Sequence, residues 1–175
     1  DGEDLQRAVE RDGPLAVASA VDVAIQACVG LADAHRLGIV HRDVKPANLF
    51  ATRRPDGARL IKLLDFGIAK ICGDAAHDGL TRTGVTLGSV PYMAPEQLRS
   101  SKSVDERCDV WSLGATLYHL LAGAPPFGSG PTFAEVAIRV WTDAPAPLPS
   151  SVPPGLVATI AASLEKLPAD RLEDV

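Results

Sequence analysis

Between Asp105 and Leu121 the chain carries Asp109, Trp111, Leu113, Leu117, Leu120 and Leu121 in a helical pattern that is apolar on most sides. A helix with one apolar stripe can lie on a surface, but a helix apolar nearly all round has to be surrounded. The rest of the chain must therefore wrap this segment, which Gly123-Ala124-Pro125-Pro126 brings to an end. With 175 residues there is enough chain for one domain or one large lobe with its own core.

The flanking elements can be read in order. Residues 4–12 are polar and weakly helical and close on Gly13-Pro14. Ala16 to His35 predicts a longer helix. Its apolar positions Val21, Ala24, Ile25, Cys28, Leu31 and Ala32 recur at three- and four-residue steps, which assigns that face to the interior. Gly38 suits its C-terminal end. Leu49-Phe50-Ala51 and Leu60 to Leu64 predict two short strands, joined by the turn Arg53-Arg54-Pro55-Asp56-Gly57. Such a hairpin would carry Asn48 at its entrance and Asp65 at its exit. Residues 70–90 predict a long loop, and loops of that length are usually functional. Thr132 to Trp141 predicts a helix with Thr132 and Glu135 at capping-box spacing. A proline-rich connector runs from Ala144 to Pro154, and Leu156 to Lys166 predicts a last helix. The class expected is mainly α, a helical bundle with one small β-hairpin.

Hydrophobic residues make up 46% of the chain and charged residues 22%, with a net charge of −5 and a pI near 5.3. That balance offers no basic face for nucleic acid. Cys28, Cys72 and Cys108 are too scattered for a zinc site or a disulfide framework, which points to reduced thiols and a cytoplasmic setting. No uninterrupted apolar run reaches the roughly 18 residues that span a bilayer, so no membrane segment is expected within the chain. The opening Asp1-Gly2-Glu3 and the stop at Val175 read as those of a piece of a longer protein.

The polar run after the long helix holds the chemistry. Asp43 lies between helix and hairpin, Lys45 follows two residues on, and Asn48 five residues on. Asp65 adds a hard anionic oxygen of the kind magnesium prefers, and Gly67 allows the turn that would aim it. A carboxylate, a cation and two oxygen ligands are the parts that phosphoryl transfer asks of a protein.

His41-Arg42-Asp43 with Lys45, Pro46 and Asn48 resembles the catalytic loop of eukaryotic-type serine/threonine protein kinases. Asp65-Phe66-Gly67, 22 residues after Asp43, resembles their magnesium motif, and Ala94-Pro95-Glu96 the end of their activation segment. Asp109-Val110-Trp111-Ser112-Leu113-Gly114 is similar to the start of the family's central helix, and Pro168-Ala169-Asp170-Arg171 to the segment holding its late arginine. Tyr92-Met93-Ala94-Pro95-Glu96-Gln97 has the flavour of bacterial members. The order and spacing of these motifs cover the whole chain.

The resemblance implies a kinase-like C-terminal lobe over residues 1–175 that uses ATP and magnesium. It implies that Asp43 is the catalytic base, that Lys45 steadies the γ-phosphate, and that Asn48 and Asp65 hold the metal. Leu49 and Phe50 would form the floor beneath the adenine. His41 and Phe66 would stack in the spine that aligns the two lobes, facing solvent where the other lobe is missing. Asp109 would hold the catalytic-loop backbone, and Glu96 would pair with Arg171. Arg42 would receive a phosphate placed on the activation segment at Thr81, Thr83 or Thr86. Ser89 stands where the family usually has threonine and, with Lys45, marks the serine/threonine branch.

The family also covers ATP with a glycine-rich loop and holds its phosphates with a strand lysine. No G-x-G-x-x-G occurs here, and Lys45 is the first lysine. The expected partners are therefore an N-lobe upstream in the same protein and protein substrates bearing serine or threonine. The alternative is a pseudokinase-like scaffold, which would have no chemical reason to keep Asp43, Lys45, Asn48 and Asp65 together. His35, His77 and His119 have no partner spacing and read as ordinary surface or core histidines. Trp111 and Trp141 read as packing residues.

Overall fold

A computed structural model of the chain describes residues 2–65, 87–99 and 104–175. The elements begin with strand β1 (Gly2–Asp4), helices α1 (Leu5–Asp12) and α2 (Val17–Arg36), and a 3-10 turn at Pro46–Asn48. Strands β2 (Leu49–Arg53) and β3 (Arg59–Leu63) follow, then a 3-10 turn at Leu87–Tyr92. Helices α3 (Pro95–Arg99), α4 (Arg107–Ala122), α5 (Phe133–Thr142) and α6 (Pro154–Ser163) complete the chain with a last 3-10 turn at Pro168–Asp170.

Every residue of α4 from Cys108 to Leu121 is buried. This is the central helix that its all-round apolar pattern requires. It ends at Gly123, whose φ of 78° is left-handed and whose N–H returns to the His119 carbonyl. α2 and α6 pack against it. The approach of α6 is close: a Cβ on Gly114 would sit 2.6 Å from Ser163 Cβ, so only glycine fits there.

α2 presents a different face to the core from the one its apolar spacing suggested. The buried residues are Ala20, Val23, Ala27, Leu31 and Ala34, while Ile25 is 58% exposed. The helix is apolar around most of its girth, so periodicity does not single out a side. Alanines at seven-residue steps (20, 27 and 34) give the flat surface that allows close contact. Val21, Ala24, Ile25 and Cys28 instead line a shallow apolar cavity against α4 and α6.

With 20 residues and a mean hydropathy of 1.5, α2 is long and apolar enough to cross a membrane by length and composition. The core helix of a globular fold passes the same test, so the expectation that no membrane segment lies within the chain is not overturned. Here α2 is tied to the sheet, since Gln26 Oε1 accepts from Ile61 N at 3.0 Å.

Among the described residues the sheet has three antiparallel strands in the order β1-β2-β3, one more than the sequence suggested. β2 and β3 pair from Leu49↔Leu63 to Arg53↔Arg59. β1 pairs with β2 through Gly2↔Thr52 and Asp4↔Phe50. Three residues are too few to show a period, so β1 could not be read from the chain. Gly2 is needed there, because a Cβ would meet the Phe50 ring at 2.5 Å. Asp4 then caps α1 by accepting from Arg7 N at 2.9 Å.

α5 starts as its capping box predicts, with Thr132 Oγ1 accepting from Glu135 N at 3.3 Å. α6 starts at Pro154, a residue favoured at the first helical position, and stops at Ser163 rather than Lys166. Ending early frees Lys166, whose Nζ donates to the Val140 carbonyl in the last turn of α5 at 2.6 Å.

Candidate active site

Asp43, Lys45 and Asn48 fall on the loop between α2 and β2, and the 3-10 turn at Pro46–Asn48 folds this loop back on itself. Lys45 Nζ donates to Asp43 Oδ2 at 2.9 Å and to Ser89 Oγ at 2.7 Å. Asn48 Nδ2 donates to the Asp43 carbonyl at 2.8 Å and to Asp43 Oδ2 at 3.2 Å. One carboxylate oxygen of Asp43 is thus gripped from two sides. The amide nitrogen of Asn48 faces Asp43, so its Oδ1 is the atom a cation could use.

Asp65 is carried to the same end of the sheet by the register of β2 and β3. Leu64 N donates to the Asn48 carbonyl at 2.9 Å, which sets Asp65 one residue beyond Asn48's pairing partner. The side chain of Asp65 is exposed, and its φ of 53° is left-handed, a conformation that non-glycine residues adopt only when their surroundings impose it. Phe50 is half-buried on β2 beside Gly2, and Leu49 beneath it is fully buried. Phe66, Gly67, Thr81, Thr83 and Thr86 lie outside the described residues.

His41 departs from expectation. It is 0% exposed and does not face solvent. Its Nε2 donates to the Leu64 carbonyl at 3.0 Å, while its Nδ1 accepts from Asp43 N at 3.2 Å. The ring therefore laces the Asp43 loop to the strand that delivers Asp65. These two bonds fit the neutral tautomer with the proton on Nε2.

Ser89, which the resemblance sets with Lys45 as the mark of the serine/threonine branch, belongs to the cluster itself. It is 2% exposed and bonded to Lys45, so it is no accessible loop hydroxyl. The segment that follows is fastened to α4. Ser112 Oγ donates to the Tyr92 carbonyl at 2.8 Å, and the Tyr92 hydroxyl meets His119 Nδ1 at 2.5 Å. Burial pushes the His119 imidazole below its ordinary pKa.

Asp109 is buried completely near the start of α4. Its Oδ2 accepts from His41 N and its Oδ1 from Arg42 N, both at 2.8 Å. Arg42 has a φ of 67°, and Gln97 Nε2 takes its carbonyl at 3.0 Å. Neither Gln97 nor Thr116, whose hydroxyl donates to the Val44 carbonyl at 3.3 Å, stood out in the sequence. His35 was also missed: its Nε2 lies 2.9 Å from Asp109 Oδ2. The signal was present, because His35 falls four residues after Leu31 on the buried face of α2.

Glu96 and Arg171 form a bidentate pair at 2.6 and 2.7 Å. The remaining donors of Arg171 go to the carbonyls of Glu165 (2.7 Å), Arg107 (3.0 Å) and Lys166 (3.2 Å). Its guanidinium lies 5.1 Å from the centre of the Trp111 ring.

Comparisons with known proteins agree with this architecture. The protein kinase domain family matches residues 1–173. The serine/threonine-protein kinase PknB of Mycolicibacterium smegmatis is 38% identical over 178 residues, covering 99% of this chain and 27% of that protein. Serine/threonine-protein kinase Pkn1 of Myxococcus xanthus is 42% identical over 166 residues, covering 93% of this chain and 23% of that protein. A crystal structure of the Rad53 kinase domain and SCD2 shares the fold with a TM-score of 0.74 at 23% identity, covering 98% of this chain and 59% of the other. The chain thus spans about a quarter of the length of these curated relatives. A family match along nearly all of its residues shows that the chain belongs to the protein kinase family.

Proposed function

We propose that this chain is the C-terminal, catalytic lobe of a serine/threonine protein kinase of bacterial type, which transfers the γ-phosphate of ATP to serine or threonine hydroxyls of protein substrates. The observation that carries this reading is the convergence of Lys45 and Asn48 on Asp43 Oδ2, over a loop whose backbone a buried Asp109 holds. That arrangement orients a carboxylate and sets a cation beside it, which is the positioning that phosphoryl transfer needs.

In this reading Asp43 accepts a hydrogen bond from the incoming hydroxyl and aims its oxygen at the γ-phosphorus. As the new O–P bond forms, the bond to the bridging oxygen of ADP breaks and the hydroxyl proton passes to Asp43. Lys45 offsets charge on the transferred group. Ser89, held on the same amine, fixes Lys45 on the side where the substrate hydroxyl arrives. Phe50 supplies the apolar floor for adenine.

A neutral amide oxygen and one carboxylate form a donor set that fits magnesium, which keeps several waters and takes its other oxygens from phosphates. Asn48 and Asp65 would hold it, and when bound it neutralises phosphate charge. A glycine-rich lobe of the same protein would cover the nucleotide, with the domain working in the cytoplasm. Arg42 would dock a phosphorylated threonine of the activation segment. Its Nε is buried without a hydrogen-bond partner among the described residues, and a phosphate could use such a donor.

The experiment is peptide phosphorylation and nucleotide titration by residues 1–175 alone and by the longer protein. The longer protein should bind ATP with magnesium and phosphorylate serine or threonine peptides, while the short chain should do neither well. A longer protein that binds ATP and transfers no phosphate would favour the scaffold reading instead.

A further inference from the structure

The strand register brings together charges that lie apart in the sequence. Leu64 N donates to the Asn48 carbonyl and Arg54 N to the Ala58 carbonyl, so bonded pairs alternate along the β2–β3 ladder. Arg53 and Arg59 face each other between two of them. Side chains come closest at such non-bonded positions, and like charges directly opposite destabilise a sheet. Arg54 follows in the turn, and all three arginines are exposed. Arg53 Nη1 donates to the Gly57 carbonyl at 2.9 Å. Among the described residues no carboxylate pairs with any of the three. The neighbouring acids are engaged elsewhere. Asp56 accepts from Ala58 N at 2.9 Å within the turn, and Asp22 on α2 accepts from Gln26 Nε2 at 3.1 Å.

Residues 53–59 thus hold three positive charges against one negative, on a chain whose net charge is −5. The same face of the hairpin is anchored further down by the buried Leu49 and Ile61, so the tip needs no arginine for packing. A facing pair of like charges without a counter-ion costs stability, and such local violations concentrate where a chain does something other than fold.

We propose that the tip of the β2–β3 hairpin is a docking surface for an acidic peptide segment, whose carboxylates or phosphates take the guanidinium forks of Arg53, Arg54 and Arg59. Resting on the kinase reading, that segment belongs to the protein substrate. The five residues of β2 separate the tip from Asn48, a span of about 16 Å at strand rise. The acidic segment therefore lies at least about five extended residues from the hydroxyl that receives phosphate. Charge favours a peptide over a bilayer or a nucleic acid. A short segment meets the tip alone, whereas an extended anionic surface also meets the acidic excess of the chain beyond a Debye length of about 8 Å.

The test uses the full-length protein and a fluorescently labelled hexaglutamate peptide, read by anisotropy at low and high salt. Salt should weaken the wild-type complex, and Arg54→Ala with Arg59→Thr should weaken it at least tenfold at low salt. Arg7→Ala removes an exposed arginine of α1 and should leave binding within twofold. No loss in the double variant, or an equal loss in Arg7→Ala, overturns the proposal. A phosphoserine peptide of the same length tells the two anions apart, and the tighter of the two names the acid the tip is built for. Arg59→Thr alone separates binding from folding. Relief of the like-charge pair should leave the thermal midpoint unchanged or higher at low salt, and a lower midpoint makes the pair structural and overturns the proposal. Phosphatidylserine vesicles or a DNA duplex held more tightly than the peptide through the same arginines also overturn it.

The substrate assignment has its own arm. An acidic tail is joined to a serine acceptor by a flexible spacer of about ten residues, which reaches about 17 Å. The KM for this peptide should rise at least fivefold in the double variant with kcat within twofold, and the tailless peptide should show no change. An unchanged KM for the tailed peptide overturns the assignment to substrates. A wild-type protein that transfers no phosphate counts against the kinase reading and leaves the binding results standing.

Discussion

Replacing Glu96 by glutamine removes one charge from the bidentate pair with Arg171 and leaves the shape almost unchanged. The Arg171 side chain is 0% exposed and that of Glu96 18%. The guanidinium would keep its three carbonyl partners but lose its counter-charge, and the new amide NH2 would point a donor at a donor. Breaking a buried ion pair from one side costs about 3–5 kcal/mol, and the slight exposure of Glu96 puts the expectation near 3 kcal/mol. For a domain of this size each kcal/mol moves Tm by about 2–4 °C, so the midpoint should fall by roughly 6–12 °C. Urea unfolding should show a lower midpoint with an unchanged slope, the mark of lost stability without a change in the surface exposed. A loss below about 1 kcal/mol, the worth of an exposed pair, would refute the claim that this contact ties the segment after Ser89 to the end of the chain.

Gly114→Val should destabilise the domain by about 1–3 kcal/mol, since its side chain would have to displace Ser163 on α6; a thermal melt matching the wild type would contradict that packing. His119 has its pKa lowered by burial, so the unfolded chain binds more protons and stability should fall as pH drops below about 6.5. His119→Gln should flatten that part of the curve, and an unchanged acid limb would show that His119 is not the group responsible. Mass spectrometry of the active full-length protein should find phosphate on Thr81, Thr83 or Thr86. If alanine at all three leaves turnover unchanged, loop phosphorylation is not the switch.

The central helix was legible because an all-round apolar segment has one solution, burial. The face of α2 was not, because the same property on a helix lying against the core leaves its rotation undetermined, and the alanines 20, 27 and 34 that turn inward carry little apolar signal. The cluster of Asp43, Lys45 and Asn48 was legible from short spacing along one loop. Its long-range partners were not: Ser89 comes 44 residues after Lys45, and Asp109 lies 74 residues beyond His35. Contacts over such separations leave no local period, only a polar residue on an otherwise buried face. His41 shows the converse, since the resemblance set it facing solvent where the other lobe is missing, while two hydrogen bonds hold it inside.

The most direct test of the account is Asp43→Asn in the full-length protein, assayed for peptide phosphorylation and for magnesium-dependent ATP affinity. Asparagine keeps the shape and can still accept from Lys45, but it cannot take the hydroxyl proton. Turnover should fall by about 10²-fold or more, the usual contribution of a positioned base. ATP affinity should stay within about threefold, less than 0.7 kcal/mol, because the proposed metal ligands are Asn48 and Asp65 and not Asp43. An Asp43→Asn protein that turns over at the wild-type rate would contradict the role given to this carboxylate.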